Sequence, residues 1–316
     1  MILRGIDFGC VMNASGARNF FGQGYPFHRW WHNFGLDYTN ATFVAKTTTL
    51  KRNVGNMPFV ETTLQPQEIF PKCIKVNPMS GAVLNAVGLS GPGVESLLQK
   101  VRWQRRRDPF FISFAAIEKT VPDRLNEWKE FCELLCPWLS GFRAPIGLEM
   151  NFSCPNTGII EQPFVDEIHA ALDIASVLDV PLVAKLNVLI PPAVGFQIAE
   201  HGACDAICQS NTISWNLLSD LVKKKFFNRL ESPLKKYGGG GFSGPYLFPL
   251  VLAWIREAKV SGLKKPIIGC GGIMSVLCAD MMFAAGARAI QIGSVSITRP
   301  WRVQSIIKCA NNYGGK

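Results

Sequence analysis

Eight short, largely apolar runs recur along this chain, most closing in a polar or glycine-rich turn and several followed by a stretch with helical spacing. They are DFGCVMNA (7–14), TFVAKTT (42–48), PFFISFAA (109–116), IGLEMNFS (146–153), PLVAKLNV (181–188), DAICQSNT (205–212), PIIGCGGI (266–273) and RAIQIGSV (288–295). Near-continuous apolar strands suit a parallel sheet covered on both faces. Between them, residues 123–136 place Leu125, Trp128, Phe131, Cys132 and Leu135 on one helical face. Residues 164–178 do the same with Val165, Ile168, Ala171, Leu172, Ile174 and Ala175, and 246–260 and 274–285 are further helix candidates. Eight strands alternating with helices in 316 residues predict an α/β chain folded as a single (β/α)8 barrel domain over 1–316. An open doubly wound sheet is the alternative, disfavoured because no GxGxxG turn follows the first run.

Two stretches exceed what one βα unit needs: residues 49–108, and residues 213–245, which end near the glycine-rich KKYGGGGFSGPY. Long loops on a barrel rim serve as lids or site walls. With 48% apolar and 18% charged residues the chain buries a sizeable core, which excludes a disordered protein. No apolar stretch is long enough to span a bilayer, and the N-terminus has no apolar core of signal-peptide type, so a soluble, cytoplasmic chain is expected. Most of the ten cysteines sit in apolar runs and read as small buried hydrophobes, and no complementary pair completes a zinc set, so no metal is expected. The net charge of +10 is spread over short clusters (105–107, 223–225, 235–236, 264–265) without interleaved aromatics. That reads as a solvated surface favouring anionic substrates, with no nucleic-acid partner.

In a barrel, chemistry gathers at the C-terminal strand ends. Here those ends carry Asn13 to Gly16, Lys46 to Thr49, Asn151 to Asn156, Lys185 to Asn187, Ser210 to Thr212, Gly271-Gly272 and Gly293-Ser294. Lysines, amides, hydroxyls and one thiol, with almost no carboxylates, suit a planar, anionic ligand rich in hydrogen-bonding groups. Glycine pairs after the last two strands expose backbone amides where barrels hold phosphate. Lys46 and Lys185 each end an apolar strand, where a lysine is unexpected unless it meets an anion or an electron-rich ring. Cys154 follows a strand and precedes Pro155 in a polar loop; its position alone leaves a reactive and a structural reading open.

Taken together, NASG (13–16), KTTT (46–49), NAVGL (85–89), NFSCPNT (151–157), AKLN (184–187), SNT (210–212), GGFSGPY (240–246), IIGCGGI (267–273) and IQIGSV (290–295) resemble, in order, the motifs of the dihydroorotate dehydrogenase family. The likeness runs from about residue 5 to 300. It implies FMN at the barrel mouth and oxidation of dihydroorotate to orotate in pyrimidine synthesis, with a proton lost from C5 and a hydride from C6 to flavin N5. In the family the fourth residue of the N-x-S-C/S motif is the base, here Cys154. A cysteine there resembles the soluble class 1 enzymes. The start of the chain twelve residues before NASG likewise leaves no room for the membrane-docking extension of class 2.

The resemblance further implies that Lys46 approaches both flavin and substrate and that Lys185 faces charge near flavin N1. Asn85, Asn151, Asn156, Asn211 and Thr212 hydrogen-bond the pyrimidine, and Gly88 and Leu89 offer it backbone contacts. Ala14, Ser15, Thr47, Ser210, Gly244, Gly271, Gly272, Gly293 and Ser294, with Lys46, Asn85, Asn151 and Lys185, make up the implied cofactor shell.

The chain departs from the family pattern at Ser90-Gly91, where P-N or Q-N is usual, and at KLNVLIPP. The aromatic FHRWWHNF (27–34) reads as a packed loop after the first strand. An alternative is a related FMN barrel acting on another dihydropyrimidine; that branch has S-C-P-H where this chain has Ser153-Cys154-Pro155-Asn156. RNA-directed relatives would need a further domain, and an FMN-binding protein without activity has no reason to keep the thiol and both lysines. The electron acceptor sets the assembly: a homodimer for fumarate, or a second subunit carrying FAD and an iron–sulfur cluster for NAD, since no cysteine cluster here holds one.

Overall fold

Apolar runs buried on both faces are what the barrel is made of. The computed structural model describes residues 1–152 and 162–313. Strands β1 (Val11–Asn13), β2 (Phe43–Val44), β3 (Phe110–Phe114), β4 (Ile146–Asn151), β5 (Leu182–Leu186), β6 (Ala206–Gln209), β7 (Ile267–Cys270) and β8 (Ala289–Ile292) lie in sequence order as one parallel sheet. β8 pairs with β1 (Ile290 opposite Val11), and the Met12–Thr42 bridge joins β1 to β2, closing the barrel. All eight predicted runs contain a strand.

Alternate residues face inward and outward. Val44, Phe111, Val183, Ala206, Cys208, Ile268, Cys270 and Ala289 pack with Met1, Leu3, Phe8 and Met12 as an inner cluster. Phe110, Ile112, Phe114, Leu148, Leu182, Ile207 and Ile290 belong to the larger outer cluster. The short hairpin Ile2–Leu3/Ile6–Asp7 adds Met1, Leu3 and Phe8 to the inner cluster, with Phe8 4.2 Å from the Phe111 ring.

Helices α1 (Val94–Gln99), α2 (Val121–Leu135), α3 (Gln162–Ser176), α4 (Pro192–Glu200), α5 (Asp220–Phe227), α6 (Leu247–Val260), α7 (Val276–Ala284), α8 (Val295–Thr298) and α9 (Val303–Asn311) alternate with the strands or lie in the insertions. On α2, Trp128, Phe131, Cys132 and Leu135 are buried as the spacing predicts. The helix begins where the Thr120 hydroxyl accepts the Asp123 amide. Buried Glu127 accepts the amides of Ile117 and Glu118 at 2.6 and 2.9 Å, tying α2 to the loop after β3.

The two long insertions form one structure. Ile74–Asn77 and Ala82–Asn85 from the first, and Ile213–Ser214 and Gly241–Ser243 from the second, make a four-stranded antiparallel sheet, with Gly241 opposite Asn85. The FHRWWHNF segment is helical rather than a loop and only partly packed: Pro26–Phe34 is a 3-10 helix with His28 buried and Trp31 5.8 Å from Trp301, while Trp30 and Phe34 stand exposed. Proline at its start and Gly35 in the left-handed conformation at its end favour the helix. Cys10, Cys73, Cys132, Cys204, Cys208 and Cys270 are buried free thiols, as their apolar settings predict, whereas Cys136 is exposed and Cys278 and Cys309 are half-buried.

Candidate active site

Where the inward-facing positions reach the C-terminal half of the barrel, they change from apolar to polar. Ser113 on β3, Glu149 on β4, Lys185 on β5 and Gln291 on β8 are buried there. Lys185 Nζ lies 3.3 Å from Glu149 Oε1 and donates to Gln291 Oε1 at 2.9 Å. Gln291 Nε2 donates to Glu149 Oε2 at 2.5 Å, and the Ser113 hydroxyl donates to Glu149 Oε1 at 3.1 Å. Both carboxylate oxygens are therefore held, which a buried ion pair requires if its attraction is to offset desolvation. Burial pulls the Lys185 ammonium down, but the Glu149 carboxylate outweighs it and holds the group above the ordinary lysine range.

The network continues to the rim. Ser113 Oγ is 2.9 Å from Thr47 Oγ1, which is 2.7 Å from Ser15 Oγ and accepts from Asn151 Nδ2 at 3.1 Å. Asn211 Nδ2 donates to Asn151 Oδ1 at 2.8 Å and to the Phe152 carbonyl at 3.2 Å. Asn187 Nδ2 donates to the Thr212 carbonyl at 2.7 Å, and the Ser210 hydroxyl to the Asn211 carbonyl at 2.7 Å. Ser15, Thr47, Asn151, Lys185, Ser210, Asn211 and Thr212 thus converge from the ends of β1, β2, β4, β5 and β6.

Lys46 is also buried, but its surroundings differ. Its ammonium donates to the Ser90 carbonyl and stands 4.5 Å from the centre of the Phe20 ring. It forms no salt bridge with a carboxylate among the described residues, and burial lowers its pKa to about 7 against a small opposing pull from Cys73. The two lysines are therefore not the equivalent cations that their strand-end positions suggest: one is neutralised by a carboxylate, the other is poised to take up or release a proton near neutral pH.

The Ser90 contact brings the 85–90 segment beside Lys46. Gly88 and Leu89 both have positive φ (65° and 54°), and Asn53 Nδ2 donates to the Gly88 carbonyl at 2.8 Å. Asn85 Nδ2 makes only a long contact, 3.4 Å, to the Gly241 carbonyl. Across the barrel, Ala14 donates its amide to Ile292 at 2.8 Å, which places it beside Gly293. The amides of Gly272, Gly293 and Ser294 have no backbone acceptor among the described residues, so they are available to a phosphate. Gly272 (φ 67°) cannot carry a side chain, because a β-carbon would lie 2.6 Å from the Gly244 carbonyl and 2.8 Å from Phe248. Gly272 thus lets the turn after β7 approach the Gly244 carbonyl, and Gly244 (φ 125°) in turn sits against the insertion sheet, where a β-carbon would lie 2.7 Å from the Gly81 carbonyl. Cys154 and Asn156 lie outside the described residues.

The dihydroorotate dehydrogenase family model matches residues 9–312. The chain belongs to the dihydroorotate dehydrogenase family. Among similar proteins, the catalytic subunit of dihydroorotate dehydrogenase B (NAD(+)) from Streptococcus pneumoniae is 30% identical over 277 residues, 83% of this chain and 82% of that one. The corresponding subunit of Caldicellulosiruptor bescii is 31% identical over 287 residues, 86% and 84% of the two chains. That of Desulforudis audaxviator is 28% identical over 313 residues, 96% and 88%. The DHODH of Eimeria tenella, solved in complex with ferulenol, shares the fold with a TM-score of 0.66 over 99% of this chain and 84% of its own, at 18% identity.

Within this dihydroorotate dehydrogenase fold, the reading of the strand ends as nearly free of carboxylates needs correction. Glu149 lies two residues before Asn151 on the same face of β4, one layer below the rim, where it meets Gln291 and Ser113. A charged residue inside an apolar strand was as much a signal in Glu149 as in the two lysines. Asn187 ends its strand beside Lys185 and was likewise not singled out; its amide ties β5 to Thr212.

Proposed function

We propose that this protein is a class 1-type, FMN-dependent dihydroorotate dehydrogenase that oxidises dihydroorotate to orotate. The observation that carries the reading is the convergence of Ser15, Lys46, Thr47, Asn151, Lys185 and Asn211 on one barrel rim in a chain of this family. The rim suits FMN in two ways. Unpartnered backbone amides at Gly272, Gly293 and Ser294 match a phosphate, and the buried polar network at Thr47, Asn151 and Lys185 matches the edge of a flavin ring. Ala14, Ser15 and Ser210 complete the shell, with Gly271 and Gly244 shaping the turns.

When bound, FMN supplies the two-electron acceptor for the hydride leaving C6 of the substrate. Cys154, as thiolate, takes the proton from C5. Lys46, poised near neutral pH, pairs with the anionic substrate. Asn85, Asn151, Asn156, Asn211 and Thr212 donate to or accept from the pyrimidine edge, while the backbone at Gly88 and Leu89 packs on it. Fixed amide partners reject analogues that leave them unpaired. Lys185, kept charged by Glu149, would offset negative charge on a bound flavin.

The relatives' naming as NAD(+)-type catalytic subunits favours NAD as final acceptor, reached through a second subunit. That second subunit would carry the iron–sulfur cluster and FAD that pass electrons to NAD. Self-association as a homodimer is part of the same proposal. No helix among the described residues is long and apolar enough to cross a membrane.

The deciding experiment is anaerobic addition of dihydroorotate to the purified yellow protein. Bleaching of the flavin absorbance with release of orotate supports the reading. A flavin that stays oxidised with dihydroorotate but bleaches with uncarboxylated dihydropyrimidines transfers the activity to the sister chemistry.

A further inference from the structure

Two arginines outside the rim stand apart from every other feature of the function. Arg18, from the loop after β1, and Arg106, from the segment before β3, are half-buried against the outer wall of the barrel. The Arg106 guanidinium lies 4.1 Å from the centre of the Phe43 ring and 5.4 Å from that of Phe110. Arg18 lies 4.8 Å from the centre of the Tyr38 ring and 5.6 Å from that of Phe43.

The two cations converge. A β-carbon built on Gly22 would meet Arg18 Nη2 at 3.5 Å, Arg106 Nη1 at 3.6 Å and Phe43 Cε2 at 3.7 Å. Those first two distances add to about 7 Å, an upper bound on the separation of the two nitrogens. Glycine at 22, with φ 90°, leaves the gap between them without a side chain.

Two guanidinium groups this close repel, and the more a cation is withdrawn from water the more it needs a partner. Neither forms a salt bridge among the described residues. Asp37 favours the charged form of Arg18, and Asp108 that of Arg106, but neither comes within ion-pair distance; Asp37 is held by Thr39 at 2.7 and 2.8 Å and by Gln304 at 2.9 Å. Arg106 makes one long bond, from Nη1 to the Phe21 carbonyl at 3.4 Å, and its Nε–H is buried with no acceptor. An orphan buried donor calls for an acceptor, water or anion, that the described residues do not supply. Burial and then the charge of Arg18 lower the Arg106 pKa to about 10, so it remains charged at neutral pH.

We propose that Arg18 and Arg106 form a binding site for a small tetrahedral oxyanion, a phosphate either free or at the end of a phosphoester. Guanidinium forks match such oxygens in pairs, and one group bridged between them would turn mutual repulsion into shared attraction.

The test is calorimetric titration of the flavin-loaded protein, saturated with orotate, with inorganic phosphate and separately with phenyl phosphate. The readout is the difference between parent and variant, so it holds whatever occupies the rim. Arg106→Met keeps an apolar stem on Phe43 and removes the donors; it should weaken phosphate binding about tenfold or more, as should Arg18→Met, while Arg102→Met, which removes an exposed neighbouring charge, should not. Equal affinity for the two ligands assigns the site to the free anion, and tighter phenyl phosphate to a phosphoester. Parent protein that binds neither ligand, or an Arg106→Met protein that binds as the parent does, overturns the proposal. Should the variants not fold, parent crystals soaked in selenate decide: an anomalous peak between the two guanidiniums supports the site, and its absence sinks it.

Discussion

Cys154, Glu149 and Lys46 are three single residues with separable consequences. With Cys154 as the base, Cys154→Ala should slow flavin reduction by dihydroorotate about 10²–10⁴-fold while FMN and orotate still bind. Cys154→Ser should retain some activity but need higher pH, since a hydroxyl is the poorer base. Anaerobic stopped-flow across pH is the measurement, and wild-type rates in Cys154→Ala would remove the assignment. Glu149 carries the opposite kind of role, holding Lys185 charged. Breaking a buried pair from one side typically costs about 3–5 kcal/mol, so Glu149→Gln should lower unfolding stability by roughly that amount. Adding Lys185→Met should then recover part of the loss, and strictly additive effects in denaturant melts would show that the pair is not coupled.

For Lys46 the sign follows from the depressed pKa. Its folded value, about 7, lies below its unfolded one, so between roughly pH 7 and 10.5 the unfolded chain holds a proton that the native one has released. Stability of the ligand-free protein should therefore rise with pH through that window, and Lys46→Met should flatten the rise. An anionic ligand that needs Lys46 charged must bind with proton uptake above pH 7. Titrating orotate at pH 8 in buffers of different ionisation enthalpy should show about one proton taken up, and none in Lys46→Met.

At the scale of elements, the turns after β7 and β8 divide two jobs that look alike in sequence. Gly272 is required by the protein's own packing against Gly244 and Phe248, so Gly272→Val disturbs the turn as well as any ligand. A β-carbon at Gly293 meets only Ala14 Cβ, at 3.1 Å. Gly293→Val is the cleaner probe of the phosphate assignment: flavin occupancy at 450 nm should collapse while far-ultraviolet circular dichroism is kept. Full occupancy in that variant would move the phosphate elsewhere. The insertion sheet is the other element with a consequence. Because Ala82–Asn85 pairs with Gly241–Ser243, the segment carrying Asn85, Gly88 and Leu89 is held by a strand more than 150 positions away.

For the whole molecule, the proposed dependence on a second subunit is directly observable. The chain purified alone with FMN should pass electrons from dihydroorotate to a soluble dye but not to NAD, and efficient NAD reduction by the isolated chain would remove the need for a partner. The basic surface, at +10 overall, leaves that partner a field favouring an acidic face.

What could be read from the linear chain was everything that follows from local period and order. Continuous apolar runs with helical intervals dictate parallel strands covered on both sides, and all eight runs, with the helices over 123–136, 164–178, 246–260 and 274–285, are where that rule puts them. Polar strand ends also converge by rule, which is why Ser15, Lys46, Thr47, Asn151, Lys185 and Asn211 could be named in advance. Pairing between distant segments obeys no such local rule. The two insertions read as separate lids because nothing in either one announces the other, and their union as a single sheet depends on hydrogen bonds that exist only when both lie together. The lysines looked equivalent for the same reason: strand position sets where a side chain starts, but its charge state is set by what packs against it. Glu149 reaches Lys185 from the adjacent strand, whereas among the described residues Lys46 meets the Ser90 carbonyl and a ring face. Sequence alone thus determined the barrel and the ring of residues at its mouth, and the tertiary structure decided which of those residues hold their charge and which exchange a proton, because desolvation and pairing are properties of neighbours in space.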